Sequence, residues 1–164
     1  MYFKNGLLRF EGKYLNEKGF FFEGKEYDKN GILLFEGEYL ENKKWSGKGF
    51  DQFGNIIYEL NDGLGTAKEF YSNGQLKFEG EYALGERNGK GREYSKLNGE
   101  LNYEGEYLNG KRNGQGREYK NNKLIFEGEY LNGKKYNGKG KEFNKDGKIL
   151  FEFEYLNGIR FPLI

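Results

Sequence analysis

One five-residue phrase, an aromatic followed by Glu-Gly-Glu-Tyr, constrains this chain more than any other feature. It occurs as Phe10-Glu-Gly-Lys-Tyr14, Phe35-Glu-Gly-Glu-Tyr39, Phe78-Glu-Gly-Glu-Tyr82, Tyr103-Glu-Gly-Glu-Tyr107 and Phe126-Glu-Gly-Glu-Tyr130. Phe151-Glu-Phe-Glu-Tyr155 closes the series, and a degenerate copy starts at Tyr58-Glu59. Successive copies begin 25, 23, 20, 25, 23 and 25 residues apart. A second phrase lies between them: Gly24-Lys-Glu-Tyr27, Gly89-Lys-Gly-Arg-Glu-Tyr94, Gly114-Gln-Gly-Arg-Glu-Tyr119 and Gly138-Lys-Gly-Lys-Glu-Phe143. Self-similarity at a near-fixed period marks a repeat architecture, in which each repeat is one supersecondary unit stacked on its neighbours. Inside the phrase, large rings and glycine alternate with charges at period two, which is the pattern of a strand with two unlike faces. Helix is excluded by the same glycines. The longest stretch free of Gly and Pro is the eleven residues Arg117–Glu127, interrupted by Asn121-Asn122, and each interior Gly costs a helix roughly 1 kcal/mol.

Asn-Gly pairs punctuate the phrases at Asn30, Asn73, Asn88, Asn98, Asn109, Asn113, Asn132 and Asn137. Both residues tolerate positive φ, so Asn-Gly is a strong short-range hairpin signal. The reading is an all-β fold: an elongated single-layer array of antiparallel β-hairpins, one repeat domain over 1–164 with about six to seven units, capped by 151–164. Alternation puts Phe78, Gly80 and Tyr82 on one face and Glu79 and Glu81 on the other, where they meet basic residues across the strands. A bulge at the Gly-x-Gly positions would change part of this register. Composition says how such a sheet is held together. With 27 Gly, 15 Phe and 14 Tyr but no Val, the core is a ladder of rings packed on glycine rather than an aliphatic interior. The shortened stretch at 58–70 is expected to bend the array. Trp45, the only Trp, is expected at the turn position that Tyr136 holds in a later unit.

The units built on Phe78-Glu-Gly-Glu-Tyr82 and Gly89-Lys-Gly-Arg-Glu-Tyr94 resemble MORN repeats. The stretch Tyr71-Ser-Asn-Gly-Gln-Leu76 is similar to the longer-turn bacterial variant found in YwqK-like antitoxin proteins. The likeness runs from about Asn5 to Gly158. It implies a hairpin solenoid, and a role among those the family serves: scaffold, dimerisation module, suspected lipid binder or toxin-neutralising partner.

The chain has no His and no Cys, which removes the commonest general base, the commonest metal ligand and every thiolate. No catalytic residue, metal site or cofactor is therefore expected, and the chain is read as a non-enzyme. Gly133-Lys-Lys-Tyr-Asn-Gly138-Lys139 matches the first part of a phosphate-binding loop but runs into Gly140 and a strand, where a hydroxyl residue and a helix are required. The glutamate pairs of the repeat are read as a solvated face rather than acid–base pairs, and Asn144-Lys-Asp146-Gly147 as a turn rather than a calcium loop.

Two candidate surfaces remain. The aromatic face, with Phe35, Tyr39, Phe78, Tyr82, Tyr103, Tyr107, Phe126, Tyr130 and Trp45, is either a groove for a protein partner or an internal ladder. A basic stripe of Arg87, Lys90, Arg92, Lys111, Arg112, Arg117, Lys134, Lys135 and Lys139 is the alternative site, for an anionic membrane surface. A protein partner is favoured and a homodimer is possible. At net charge +1 nucleic acid is not expected, and the absence of a leader pattern predicts a cytoplasmic location.

Overall fold

The computed structural model describes residues 1–14, 21–71 and 73–163, with Tyr14 and Phe21 described by backbone alone. Three expectations therefore fall outside the described residues: the Tyr14 side chain, Ser72, and Ile164 of the closing segment. Among the described residues there are fourteen strands and no helix. They are β1 (Phe10–Tyr14), β2 (Phe21–Tyr27), β3 (Leu33–Leu40), β4 (Lys43–Phe50), β5 (Ile56–Asn61), β6 (Leu64–Phe70) and β7 (Leu76–Ala83), then β8 (Glu86–Tyr94), β9 (Leu101–Leu108), β10 (Lys111–Lys120), β11 (Lys123–Leu131), β12 (Lys134–Phe143), β13 (Ile149–Leu156) and β14 (Ile159–Leu163). They follow one another in chain order in a single open antiparallel sheet. The chain divides into two compact units, Met1–Glu86 and Arg87–Ile164.

Two turn types join the strands. The tight ones have two central residues, both at positive φ: Glu41-Asn42, Asp62-Gly63, Leu84-Gly85, Asn109-Gly110, Asn121-Asn122, Asn132-Gly133 and Asn157-Gly158. Positive φ at both positions matches the right-handed twist of the flanking strands. The longer ones span five or six residues, and most are tied by the side chain of their first. Asp28 Oδ1 accepts from the N–H groups of Asn30 and Ile32, each at 2.8 Å. Asp51 Oδ1 does the same for Phe53 and Asn55, each at 2.9 Å.

Three of the Asn-Gly pairs are not turns. Asn88-Gly89, Asn113-Gly114 and Asn137-Gly138 lie inside β8, β10 and β12. There the register slips: between Arg112 and Gly116 against β9, and between Glu129 and Tyr130 against β12. Extra residues in one strand need a conformation off the regular ladder, and Gly114 supplies it at φ +88°. The asparagines at these bulges clamp the next hairpin. Asn113 Oδ1 accepts from Asn132 N–H at 3.2 Å and Asn137 Oδ1 from Asn157 N–H at 2.9 Å. Ser46 Oγ accepts from Asp62 N–H at 3.1 Å in the corresponding place. Four tight-turn glycines also donate back to the preceding even-numbered strand: Gly63 to Trp45 O, Gly110 to Arg87 O, Gly133 to Arg112 O and Gly158 to Tyr136 O, at 2.7–2.9 Å.

The two faces differ as alternation predicts. One carries rings over glycine. A row of paired glycines crosses β8 to β12 at Gly91, Gly105, Gly116, Gly128 and Gly138. A Cβ placed on Gly116 would stand 2.4 Å from Tyr103 Oη and 2.7 Å from its ring carbons. The other face carries cross-strand ion pairs, such as Lys25–Glu36 at 2.8 Å, Arg117–Glu127 at 2.7 Å and Lys141–Glu152 at 2.8 Å. These groups are about half exposed, and solvent screening leaves such pairs little net stabilisation. Lys141→Ala is therefore expected to move the denaturation midpoint barely at all, with urea unfolding as the check. A loss above about 1 kcal/mol would show that the charged face supports the fold after all.

Candidate functional site

The aromatic face sets where anything can bind, because it is already largely occupied by its own rings. In the unit Arg87–Ile164 the rings form an edge-to-face series. Tyr103 meets Tyr107 and Tyr130 at centroid distances of 5.5 and 5.1 Å, and Phe126 meets Tyr130 and Tyr155 at 5.4 and 5.7 Å. Such pairs add about 0.5–1.5 kcal/mol each beyond the area they bury. Phe35, Tyr39, Phe78, Tyr103, Tyr107, Phe126 and Tyr130 are all buried, each at 5% exposure or less. Seven of the nine anticipated contact residues thus form the core, and a partner can reach them only where a recess opens beside them. Tyr82 is only half-buried, and its hydroxyl donates to Glu69 Oε1 at 2.5 Å. Trp45 does not sit in a turn. It is the extra residue of a bulge in β4, between Lys44 opposite Tyr39 and Ser46 opposite Glu38, and its ring lies over the Asp62-Gly63 turn of the next hairpin.

A layer of charge lies on these rings. Arg112 Cζ sits 4.1 Å from the centre of the Tyr103 ring, Lys135 Nζ 4.9 Å from Phe126, Arg160 Cζ 3.9 Å from Phe153 and Lys44 Nζ 4.8 Å from Phe35. Each of these cations is paired with a glutamate on the same face. Lys44 meets Glu26 at 2.9 Å, Lys135 meets Glu118 at 2.7 Å and Arg160 meets Glu142 at 2.7 Å. Glu93 holds both Arg87 and Arg112. The glutamates also accept hydrogen bonds from tyrosine hydroxyls, with Tyr130 Oη donating to Glu118 at 3.0 Å. Lys44 titrates above the ordinary lysine range: burial pulls it down, but the Tyr58 and Glu26 oxygens more than offset that. Sequence reasoning missed this layer. Its signal is positional, since the cation always stands second after a tight turn and the glutamate always follows the Gly-x of the even strand.

The proposed basic stripe divides accordingly. Adjacent residues of a strand face opposite sides, so Lys111-Arg112 and Lys134-Lys135 cannot share a surface. Arg87, Arg112 and Lys135 belong to the aromatic face. Lys90 and Arg92 stand opposite Glu106 and Glu104 on the charged face, and Lys139 opposite Glu127 and Glu154. Arg92 reaches Glu104 at 3.5 Å and Arg117 reaches Glu127 at 2.7 Å. Lys111 and Lys134, beside the tight turns, have no ion-pair partner among the described residues.

The unit Met1–Glu86 contains an open recess of about 1090 Å³, whose lining includes Tyr2, Phe10, Phe22, Tyr39, Tyr58 and Tyr82, with Arg9 and Lys43 among its cations. Phe22 stacks flat on Tyr39 at 5.0 Å, and Phe10 stands edge-on to both. The Tyr39 hydroxyl is buried and has no hydrogen-bond partner among the described residues. Burial pushes its titration far above the usual tyrosine range, with the Glu26 charge adding to the effect. No protein-family model matches this chain, and no curated protein matches it in sequence.

Proposed function

We propose that this chain is a non-enzymatic protein-binding module, in which the recess of the unit Met1–Glu86 receives part of a protein partner. The observation that carries the reading is the Tyr39 hydroxyl. Buried polar groups in folded proteins are nearly always hydrogen-bonded, and an exception calls for a reason. A partner group reaching into the recess would supply the missing bond, while Phe10, Phe22 and Tyr82 give it apolar surface. The chain offers no His or Cys for nucleophilic or metal chemistry, in keeping with binding rather than turnover. The resemblance to MORN repeats, and to the YwqK-like antitoxin variant in particular, supports a scaffold or toxin-neutralising role. Membrane attachment through the basic residues is the weaker reading, because most of those cations already face glutamates.

Tyr39→Phe tests this, because binding and folding should separate. Removing a buried hydroxyl that makes no bond leaves stability unchanged or slightly improved. Affinity capture from the source cells should retain one stoichiometric protein at moderate salt with the native chain. Its affinity should fall about tenfold or more with Tyr39→Phe, the size of one lost hydrogen bond in a closed interface. Equal capture by both proteins would remove the recess as the site. No retained protein at moderate salt, or turnover of a substrate by the purified chain, would overturn the binding-module reading itself.

A further inference from the structure

Two hydroxyls in the recess of the unit Met1–Glu86 depart from the repeat. The last tyrosine of the phrase can donate to the glutamate of the preceding even strand, as Tyr82 does to Glu69 at 2.5 Å and Tyr130 to Glu118 at 3.0 Å. The matching glutamate for Tyr39 is Glu26, which meets Lys44 at 2.9 Å instead, and the Tyr39 hydroxyl bonds to none of the described residues. Tyr58 opens the degenerate copy of the phrase, at a position where Phe10, Phe35, Phe78 and Phe126 have no hydroxyl and Tyr103 donates its own to Glu106 O at 3.3 Å. Tyr58 Oη accepts from Lys44 Nζ at 3.3 Å, but its proton meets no acceptor among the described residues. The two phenols pack on one ring, with Phe35 at 5.4 Å from Tyr39 and 6.2 Å from Tyr58. Both line the recess, and they are 5 and 6% exposed. Buried donors that meet no acceptor are rare, and two of them on one cavity wall favour a ligand that accepts.

We propose that the recess takes an uncharged acceptor: a carbonyl oxygen of the partner seated on the Tyr39 and Tyr58 hydroxyls, with an apolar group against Phe10 and Phe22. The proposal rests on the recess being the binding site. A carbonyl oxygen has two lone pairs and brings no proton of its own, so one atom can serve both phenols. Charge argues against a carboxylate. The lining holds the cations Arg9, Lys43, Lys44, Lys68 and Lys77 and the carboxylates Glu11, Glu26 and Glu69. Lys43 and Lys68 reach out of it to Glu86 at 2.7 Å and Glu79 at 3.9 Å, and Lys77 meets Glu69 at 2.9 Å. Five cations thus face five carboxylates, and Arg9 lies over the Phe3 ring, 5.9 Å from its centre. A carboxylate on the two phenols would stand near Glu26 with Lys44 already engaged, and like charges at short range disfavour one another. A cationic group would leave both phenol protons unmet and would face Lys44.

The test uses the full chain with isotope-labelled tyrosine rings and three probes built on one benzene ring. Acetophenone carries a carbonyl, benzoate a carboxylate and benzylamine an ammonium. Binding is read by nuclear magnetic resonance from saturable shifts of the Tyr39 and Tyr58 ring signals, each assigned by its loss in Tyr39→Phe or Tyr58→Phe. Acetophenone is expected to bind at least about tenfold more tightly than the charged probes, with both signals moving together. Each of the two variants should weaken its binding about tenfold, the size of one hydrogen bond, and leave the circular dichroism unchanged. Three outcomes overturn the proposal: benzoate binding as tightly as acetophenone, no effect of Tyr58→Phe, or no saturable shift with acetophenone, as when a fixed water alone joins the two hydroxyls. The probes report on the recess without the cellular partner. If capture of that partner weakens with Tyr39→Phe but not with Tyr58→Phe, the recess remains the site and the seat on two phenols is wrong.

Discussion

Gly116→Val is expected to unfold the unit Arg87–Ile164, or to cost it more than about 3 kcal/mol, as overpacking of a closed core can. The new Cβ would stand 2.4 Å from Tyr103 Oη, far inside van der Waals contact, and valine adds two further methyls. The ring has nowhere to go. Tyr103 is fully buried, with the Tyr107 and Tyr130 rings edge-on to it and the Arg112 guanidinium 4.1 Å above its centre. Displacing it forfeits packing of the order of an aromatic-to-alanine change, about 3–5 kcal/mol. A unit of this length has only about 4–12 kcal/mol of stability to lose. Guanidinium unfolding of the milder Gly116→Ala, alone and combined with Tyr103→Leu, isolates the cause. The penalty for Gly116→Ala should shrink when the phenol is gone. An unchanged penalty would mean that the backbone, not the ring over it, demands glycine.

Above pH 10 the protein is expected to lose stability steeply and unfold. Burial pushes Tyr103 up to about 12, and it pushes Tyr39, Tyr107 and Tyr130 well above the usual tyrosine range. The unfolded chain releases these protons near pH 10, whereas the folded one keeps them. The folded state therefore binds more protons in this window, and stability falls as pH rises. Their contribution is fully present below pH 10 and is lost as pH climbs through the folded-state values. Each retained proton is worth about 1.4 kcal/mol per pH unit, so the three tyrosines of Arg87–Ile164 together reach about 4 kcal/mol per pH unit. Tyrosinate absorbance and circular dichroism should change together. A smooth titration of all 14 tyrosines near pH 10 with the fold intact would show that the rings are not sealed.

Much of this architecture was legible in the repeat. Period-two alternation in Phe78-Glu-Gly-Glu-Tyr82 placed rings and glutamates on opposite faces, and the glycines announced rings lying flat over the backbone. What escaped was the job of individual residues. Asn113-Gly114 carries the same two letters as Asn109-Gly110, yet one makes a bulge and the other a turn, because only the length of the facing strand decides which. Arg112 and Lys135 look like surface charges on any hydropathy scale. Their position one residue past Lys111 and Lys134 turns them onto the rings, where a guanidinium or ammonium over an aromatic face is stabilised rather than merely tolerated. The aromatic face itself was correctly located, but how far rings bury one another depends on contacts between hairpins that no single phrase contains.

The carbonyl that four of the tight-turn glycines borrow from the preceding even strand has an evolutionary reading. Because Trp45, Arg112 and Tyr136 offer the same oxygen to the turns of Gly63, Gly133 and Gly158, a hairpin recognises its neighbour's position rather than its identity. Duplicating or excising one whole period restores every such bond with a different donor and acceptor. Families of such chains can therefore change length by copying a module, whereas gaining or losing a few residues inside a strand breaks two hairpins at once.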